Sequence, residues 1–194
     1  MPRRLLALVI AGLALVSAAG CADDVSPALR VGDTKISNAE LLSEIDQWVH
    51  NPLAVDASQL EGRAPGAYPG DLVRQLLRQR IDFAIHNAEF ERRHLKLDDK
   101  LREDALTALF GDPAGAEQAY AAFTKEFADE FTDDVARQIA LQEELGDDGY
   151  VAWLTDAYAK TEIEVNPRYG TWEPTSRQVT PPPSAVTSST GPTP

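Results

Sequence analysis

The sequence predicts a mainly α-helical domain, with about six helices around one long central helix and a small β element drawn from its two ends. Three observations predict it. Residues 71–94 carry apolar side chains at three- and four-residue intervals (Leu72, Val73, Leu76, Leu77, Ile81, Ala84, Ile85, Ala88), with Arg74, Arg78, Glu89 and Arg92 opposite, the period of an amphipathic helix. At 1.5 Å per residue this helix reaches about 36 Å, the diameter of a small domain. Near the start, Leu29-Arg30-Val31 and Thr34-Lys35-Ile36 flank Gly32-Asp33 as a hairpin would, and near the end Glu162–Val165 alternates as a strand. Further helical patterns fill the space between, each bounded by capping and breaking residues.

In the hairpin, Leu29, Val31 and Ile36 are expected to share a buried side. Ser37-Asn38-Ala39-Glu40 follows as a capping box, so a helix starts at Asn38, buries Leu41, Leu42, Ile45, Trp48 and Val49, and ends near Asn51-Pro52. From Pro52 to Pro69 the chain has no sustained period and reads as a long exposed loop. After the central helix, Asp98 caps a third helix through Phe110, with Leu101, Ala105, Leu106 and Leu109 inward, and Gly111-Asp112-Pro113 stops it. A fourth is expected over 116–130, where Tyr120, Phe123, Phe127 and the trailing Phe131 form an aromatic stripe that reads as core rather than as an apolar ligand site. Thr132-Asp133-Asp134 is read as the cap of a fifth helix, carrying Val135, Ile139, Leu141 and Leu145 and ended by Gly146. Tyr150, Val151, Leu154 and Tyr158 mark a sixth, with Trp153 nearby. Beyond Trp172 the chain is Pro-, Ser- and Thr-rich with almost no aliphatic residue, so 173–194 is expected to be disordered, with a composition that suits O-glycosylation.

The N-terminus gives an address. Arg3-Arg4, the apolar run Leu5–Val16 and the small residues Ser17–Gly20 supply the basic, apolar and cleavage regions of a secretory signal in order, and the apolar run is too short to span a bilayer. Cys21, the single cysteine, follows directly. The pattern resembles the bacterial lipobox, with Ala18 where leucine is preferred, and implies a diacylglyceryl (palmitate-type) lipid on the Cys21 thiol. The alternative is an ordinary signal peptide whose cysteine is incidental. The expected organisation is a signal peptide over 1–20, a tether over 21–28, one domain over 29–172 and the tail.

Losing residues 1–20 removes two of 18 basic residues and none of the 31 acidic ones, for a formal charge of −15. Such a chain is repelled by nucleic acid and by anionic headgroups, so nucleic-acid binding is excluded and the membrane must be reached through the N-terminal lipid. No catalytic or metal site is expected. His50, His86 and His94 share no ligand spacing and read as surface or helix-face residues, no second cysteine exists, and no nucleophile elbow, P-loop or dinucleotide fingerprint occurs. Asp98-Asp99, Asp133-Asp134 and Asp147-Asp148 all read as helix-start acids that the macrodipole favours. No cofactor is implied.

The order of elements resembles the chaperone domain of the SurA and PrsA group, related to the peptide-binding helical domain of trigger factor. Val31 to Leu41 is similar to that family's opening hairpin and capped first helix, and Val165-Asn166-Pro167-Arg168-Tyr169-Gly170-Thr171-Trp172 to the close of its lipoprotein members. The resemblance covers Leu29 to Trp172. It implies that the hairpin and the Glu162–Val165 strand pair, and that the helices form an open cradle for extended segments of unfolded or exported polypeptides, gated by the 52–69 loop. Many relatives carry a parvulin prolyl isomerase domain before the final strand, but Leu145–Glu162 leaves room for one helix only, so no isomerase site is carried over. The expected function is a membrane-anchored extracytoplasmic lipoprotein with chaperone-like binding and no enzymatic activity. The competing readings are a structural or adaptor lipoprotein docking one folded envelope partner, and an isomerase with an unrecognised site. Which side chains bind peptide, and the oligomeric state, are not legible.

Overall fold

The computed structural model describes residues 26–51, 68–111, 115, 118 and 120–182. Among them the elements run β1 (Leu29–Val31), β2 (Thr34–Ile36), α1 (Asn38–Val49), α2 (Gly70–Arg92), α3 (Asp99–Phe110), α4 (Lys125–Lys160), β3 (Ile163–Val165), β4 (Thr171–Glu173) and β5 (Gln178–Thr180). The expected signal segment over 1–20, Cys21 and the 52–67 stretch of the expected loop lie outside the described residues.

The mainly helical class and the joining of the two chain ends are both as expected. β1 is the middle strand of an antiparallel sheet of order β2-β1-β3, with Leu29 opposite Ile36 on one side and Val165 on the other. Gly32, at φ 55°, makes the tight hairpin turn. Backbone bonds from Gly32 N–H to the Glu162 carbonyl and from Asn166 N–H to the Ala28 carbonyl, 2.8 and 2.9 Å, fasten both ends of β3. Leu29 and Val31 turn into the core and Ile36 is half-buried.

The capping box of α1 is complete: the Glu40 amide donates to Ser37 Oγ at 3.1 Å and the Ser37 amide to the Glu40 carboxylate at 2.6 Å. Those bonds, above all the one from the Ser37 amide, hold the Glu40 carboxyl below the usual range. Leu41 and Ile45 face inward, whereas Leu42, placed in the stripe by its spacing, is 43 % exposed. α2 is the element on which the others assemble, packing against α1, α4, β1 and β5. Asp98 caps α3 by accepting from the Leu101 amide at 2.9 Å. Leu101 and Ala105 then pack with Phe90, Ala136, Ala140 and Leu141 as a second core beside the main one.

Among the described residues there are four helical runs rather than six, and the last is two helices joined across a kink at Gly146, the residue at which the fifth helix is expected to end. The helix expected over 116–130 lies partly outside the described residues and is interrupted at 122–124. Thr132-Asp133-Asp134 does not cap a helix. The cap is Thr124, in extended backbone with its hydroxyl accepting from the Phe127 amide, and one helical run continues from Lys125 to Lys160, broken only at Gly146 (φ 65°, ψ 163°). Thr132 instead donates its hydroxyl to the Ala128 carbonyl one turn back at 2.8 Å. Cap-type side chains bond the local backbone in several ways, and inside a helix a threonine does so without ending it. Beyond the break, Val151 is 63 % exposed and Trp153 takes its place against the core.

The boundary of the tail is also corrected. β4 and β5 form a hairpin that pairs Trp172 with Val179, and Val179 is buried in the main core. One aliphatic side chain at an alternating position anchors a segment whose average composition argues for disorder. Gly170, at φ 146°, lies so close that a Cβ there would sit 2.2 Å from the Thr180 carbonyl oxygen, so only glycine fits. Residues 183–194 lie outside the described residues.

His86, expected as a surface or helix-face residue, is buried, at 2 % exposed. Its Nδ1 lies 2.6 Å from the Asp82 carbonyl and its Nε2 2.7 Å from the Tyr150 hydroxyl. A carbonyl only accepts, so Nδ1 carries the proton and Nε2 accepts from Tyr150. Burial depresses the His86 pKa, which keeps the ring neutral. One turn earlier, Asp82 lies near Arg78 and Arg177, and Arg177 itself stacks over Tyr158 at 4.8 Å and accepts Arg78 Nε on its carbonyl at 3.1 Å. Burial nevertheless pushes the Asp82 carboxyl up to about 6, with Arg78 and Arg177 only partly opposing it.

A carboxyl raised in the folded state binds more protons there than in the unfolded chain, so its contribution to stability falls as pH rises from about 4 through about 6. Asp82→Asn should therefore match the parent near pH 4 and exceed it at pH 7.5, by up to about 3 kcal/mol. Urea unfolding of both proteins across this range checks it. A gap that does not change with pH would contradict the assignment.

Candidate functional site

Three charged residues sit where the helical period calls for apolar ones. Glu44 follows Leu41 by three, Arg80 follows Leu77 by three, and Asp134 follows Phe131 by three. The fold brings them together. Arg80 on α2 donates from Nε to Glu44 of α1 at 2.6 Å, and from Nη1 to Glu130 and Asp134 of α4 at 3.2 and 3.4 Å. Glu44 and Asp134 side chains are each 3 % exposed, Glu130 58 %. Asp134 also accepts from Asn87 Nδ2 and Arg137 Nη1, each at 2.8 Å.

Two guanidiniums, Arg80 and Arg137, face three carboxylates in this cluster. Burial raises the carboxyls of Glu44 and Asp134 despite the bonds that pull them down, and the surrounding carboxylates drive Arg80 upward against its own burial. Two acceptors are left over: Glu44 Oε1 and Asn87 Oδ1 are buried with no hydrogen-bond partner.

The cluster forms the floor of an open groove of about 500 Å³. Its wall on one side is β2, Thr34 to Ile36, the edge strand of the sheet. Glu40 and Gln47 of α1 line it beside Glu44, and α4 supplies Glu126 and Phe127 opposite. Gln47 holds the two sides in register, because its Oε1 accepts from the Thr124 amide at 2.8 Å, at the cap of α4. The lining carries five carboxylates against Lys35 and Arg80, so the groove is acidic as well as strand-edged.

The aromatic stripe lies beneath. Trp48 of α1 meets Phe123, Phe127 and Phe131 edge to face at 5.2, 6.1 and 5.3 Å, and Phe83 of α2 meets Phe131 at 5.6 Å. These rings fill one another's faces, as the core reading expects. The histidines are not brought together: His50 ends α1, bonded to the Asp46 carbonyl, His86 is under Tyr150, and His94 follows α2. Among the described residues, no group of three His, Cys, Asp or Glu side chains is placed to hold a metal ion, and no helix is long and apolar enough to cross a membrane.

Arg80→Met should cost about 3–5 kcal/mol, because it leaves Glu44 buried without a countercharge and Asp134 with Arg137 alone. Replacing all three by apolar residues of similar size should recover most of that loss. Urea midpoints of the two variants check this, and a single variant within about 1 kcal/mol of the parent would deny the cluster its structural role.

Compared with protein-family models, with curated proteins and with solved structures, the chain gives no match.

Proposed function

We propose that this chain is a lipid-anchored extracytoplasmic protein of the SurA and PrsA kind, which binds unfolded or exported polypeptides without isomerase activity. The observation that carries the reading is the groove: an open channel with β2, an edge strand of the sheet among the described residues, as one wall. Strand edges present unpaired amides and carbonyls, which every extended polypeptide matches whatever its sequence. Further support comes from the opening hairpin, the capped α1, the long α2 and the pairing of β1 with β3, the arrangement that the family resemblance implies. The anchor in this proposal is a lipid on Cys21, and the acidic body adds no attraction of its own for anionic headgroups.

A second reading, an adaptor that docks one folded envelope partner, is favoured by a specific observation. Among the described residues, the large apolar side chains that stand exposed are Leu42 and Val151, on different helices. A general holdase presents a contiguous apolar patch, and two separated side chains are a poor start for one. The two readings differ in what they bind.

The full chain at several-fold excess should suppress aggregation of a chemically unfolded client, and should leave isomerisation of a proline peptide at its uncatalysed rate. Unchanged aggregation, together with a single stoichiometric partner in a pull-down, would replace the first reading by the second. Cys21→Ala should move the protein from the membrane to the soluble fraction with an unchanged circular dichroism spectrum. Retention of that variant in membranes would remove the lipid from the proposal.

A further inference from the structure

The groove offers two kinds of unfilled valence, and they specify one kind of occupant. Its β2 wall is a sheet edge, and all three of its residues are exposed or half-exposed. Its floor and far side hold a surplus of carboxylate, five groups against Lys35 and Arg80, with Glu126 and Glu130 exposed. A backbone edge asks for an extended chain, and a surplus of carboxylate asks for a cationic donor. We propose that the groove docks an extended polypeptide segment bearing lysine, which adds to β2 as a fourth strand and sets an ammonium group beside Glu126 and Glu130.

Geometry supports each half. Residues of an added strand alternate between the two faces of the sheet, so every second side chain is directed toward one face. The volume of about 500 Å³ suits a few side chains rather than a folded surface. Glu130 already shares Arg80 while more than half exposed, so it can turn to an incoming ammonium without stripping Arg80 of Glu44. Lysine, with a slender stem and a point charge, reaches a carboxylate lining a groove more readily than a planar guanidinium does. A metal ion is a poor alternative, since no three carboxylates among the described residues are placed to ligate one. A second copy of this chain is also disfavoured, because its acidic surface would meet an acidic groove.

The inference rests on the reading of the chain as a polypeptide-binding protein, and its test separates the two. The probes are fluorescent nine-residue peptides of alternating valine and serine with two lysines, the same peptide with glutamates, and the lysine peptide N-methylated on alternate amides. Binding to the full chain in detergent is followed by anisotropy. The lysine peptide should bind at least tenfold more tightly than the other two. Glu126→Gln with Glu130→Gln should weaken it about tenfold, while Glu143→Gln with Glu144→Gln, an equal charge change on an exposed stretch away from the groove, should leave it unaltered. Equal binding of lysine and glutamate peptides, or an equal effect of both double variants, would overturn the charge selection. Equal binding of the N-methylated peptide would overturn strand addition. If no peptide binds while aggregation is still suppressed, this site is wrong and the chaperone reading stands; if aggregation is unaffected while the lysine peptide binds, the reverse holds.

Discussion

Arg80 carries one positive charge into a place where carboxylates from α1 and α4 converge, and the mutual placement of α1, α2 and α4 follows from satisfying it. A guanidinium presents its donors in a fixed fork, so its partners must come to it. Were α1 or α4 to rotate by one residue, Glu44 or Asp134 would leave the fork, and a buried charge would lose its partner at a cost of several kcal/mol. Apolar packing tolerates such rotations far better. The ion cluster thus selects one arrangement from several that the aromatic and aliphatic side chains would accept.

The same cluster explains why the groove stays open. Carboxylates in excess of their countercharge repel, and they hold water more strongly than apolar walls do, so α1 and the start of α4 do not close over Arg80. Below it, Trp48 and the phenyl rings of Phe123, Phe127 and Phe131 bring the same two helices into dry contact. Together they make a wedge, with an aromatic base and a charged mouth. Gln47 spans the mouth to the Thr124 amide.

What was legible in the sequence was chemistry that acts over one turn. The Ser37–Glu40 box, the Asp98 cap, and the glycines at 32 and 111 with positive φ all depend on residues three or four apart, and each is found where its pattern places it. Thr132 misled because a hydroxyl that can cap a helix can equally bond back along one, and the deciding residue, Thr124, lay eight positions earlier. Val179 was hidden by averaging over a polar segment, although one alternating aliphatic opposite Trp172 is enough to pin a two-stranded hairpin to a core. Each member of the groove's cluster left a trace, a charge at an apolar position of its own helix. That Glu44, Arg80 and Asp134 answer one another is a tertiary fact, carried by three helices that no single period connects.

The central strand of the sheet draws its two neighbours from opposite ends of the chain. Asn166 donates its side-chain amide to the Pro27 carbonyl across 139 positions. Loop-closure entropy grows only slowly with such separations, so the finished sheet loses little stability to its topology. Time is affected more, because synthesis runs from the N-terminus and β1 has nothing but β2 to pair with until β3 exists. A chain that stops short of Val165 retains α1, α2, α3 and most of α4, yet leaves β1 with an open edge of the kind that recruits foreign strands. Completion of the sheet is thereby coupled to synthesis as far as Val165, and chains terminated before it carry an adhesive flank that longer ones conceal.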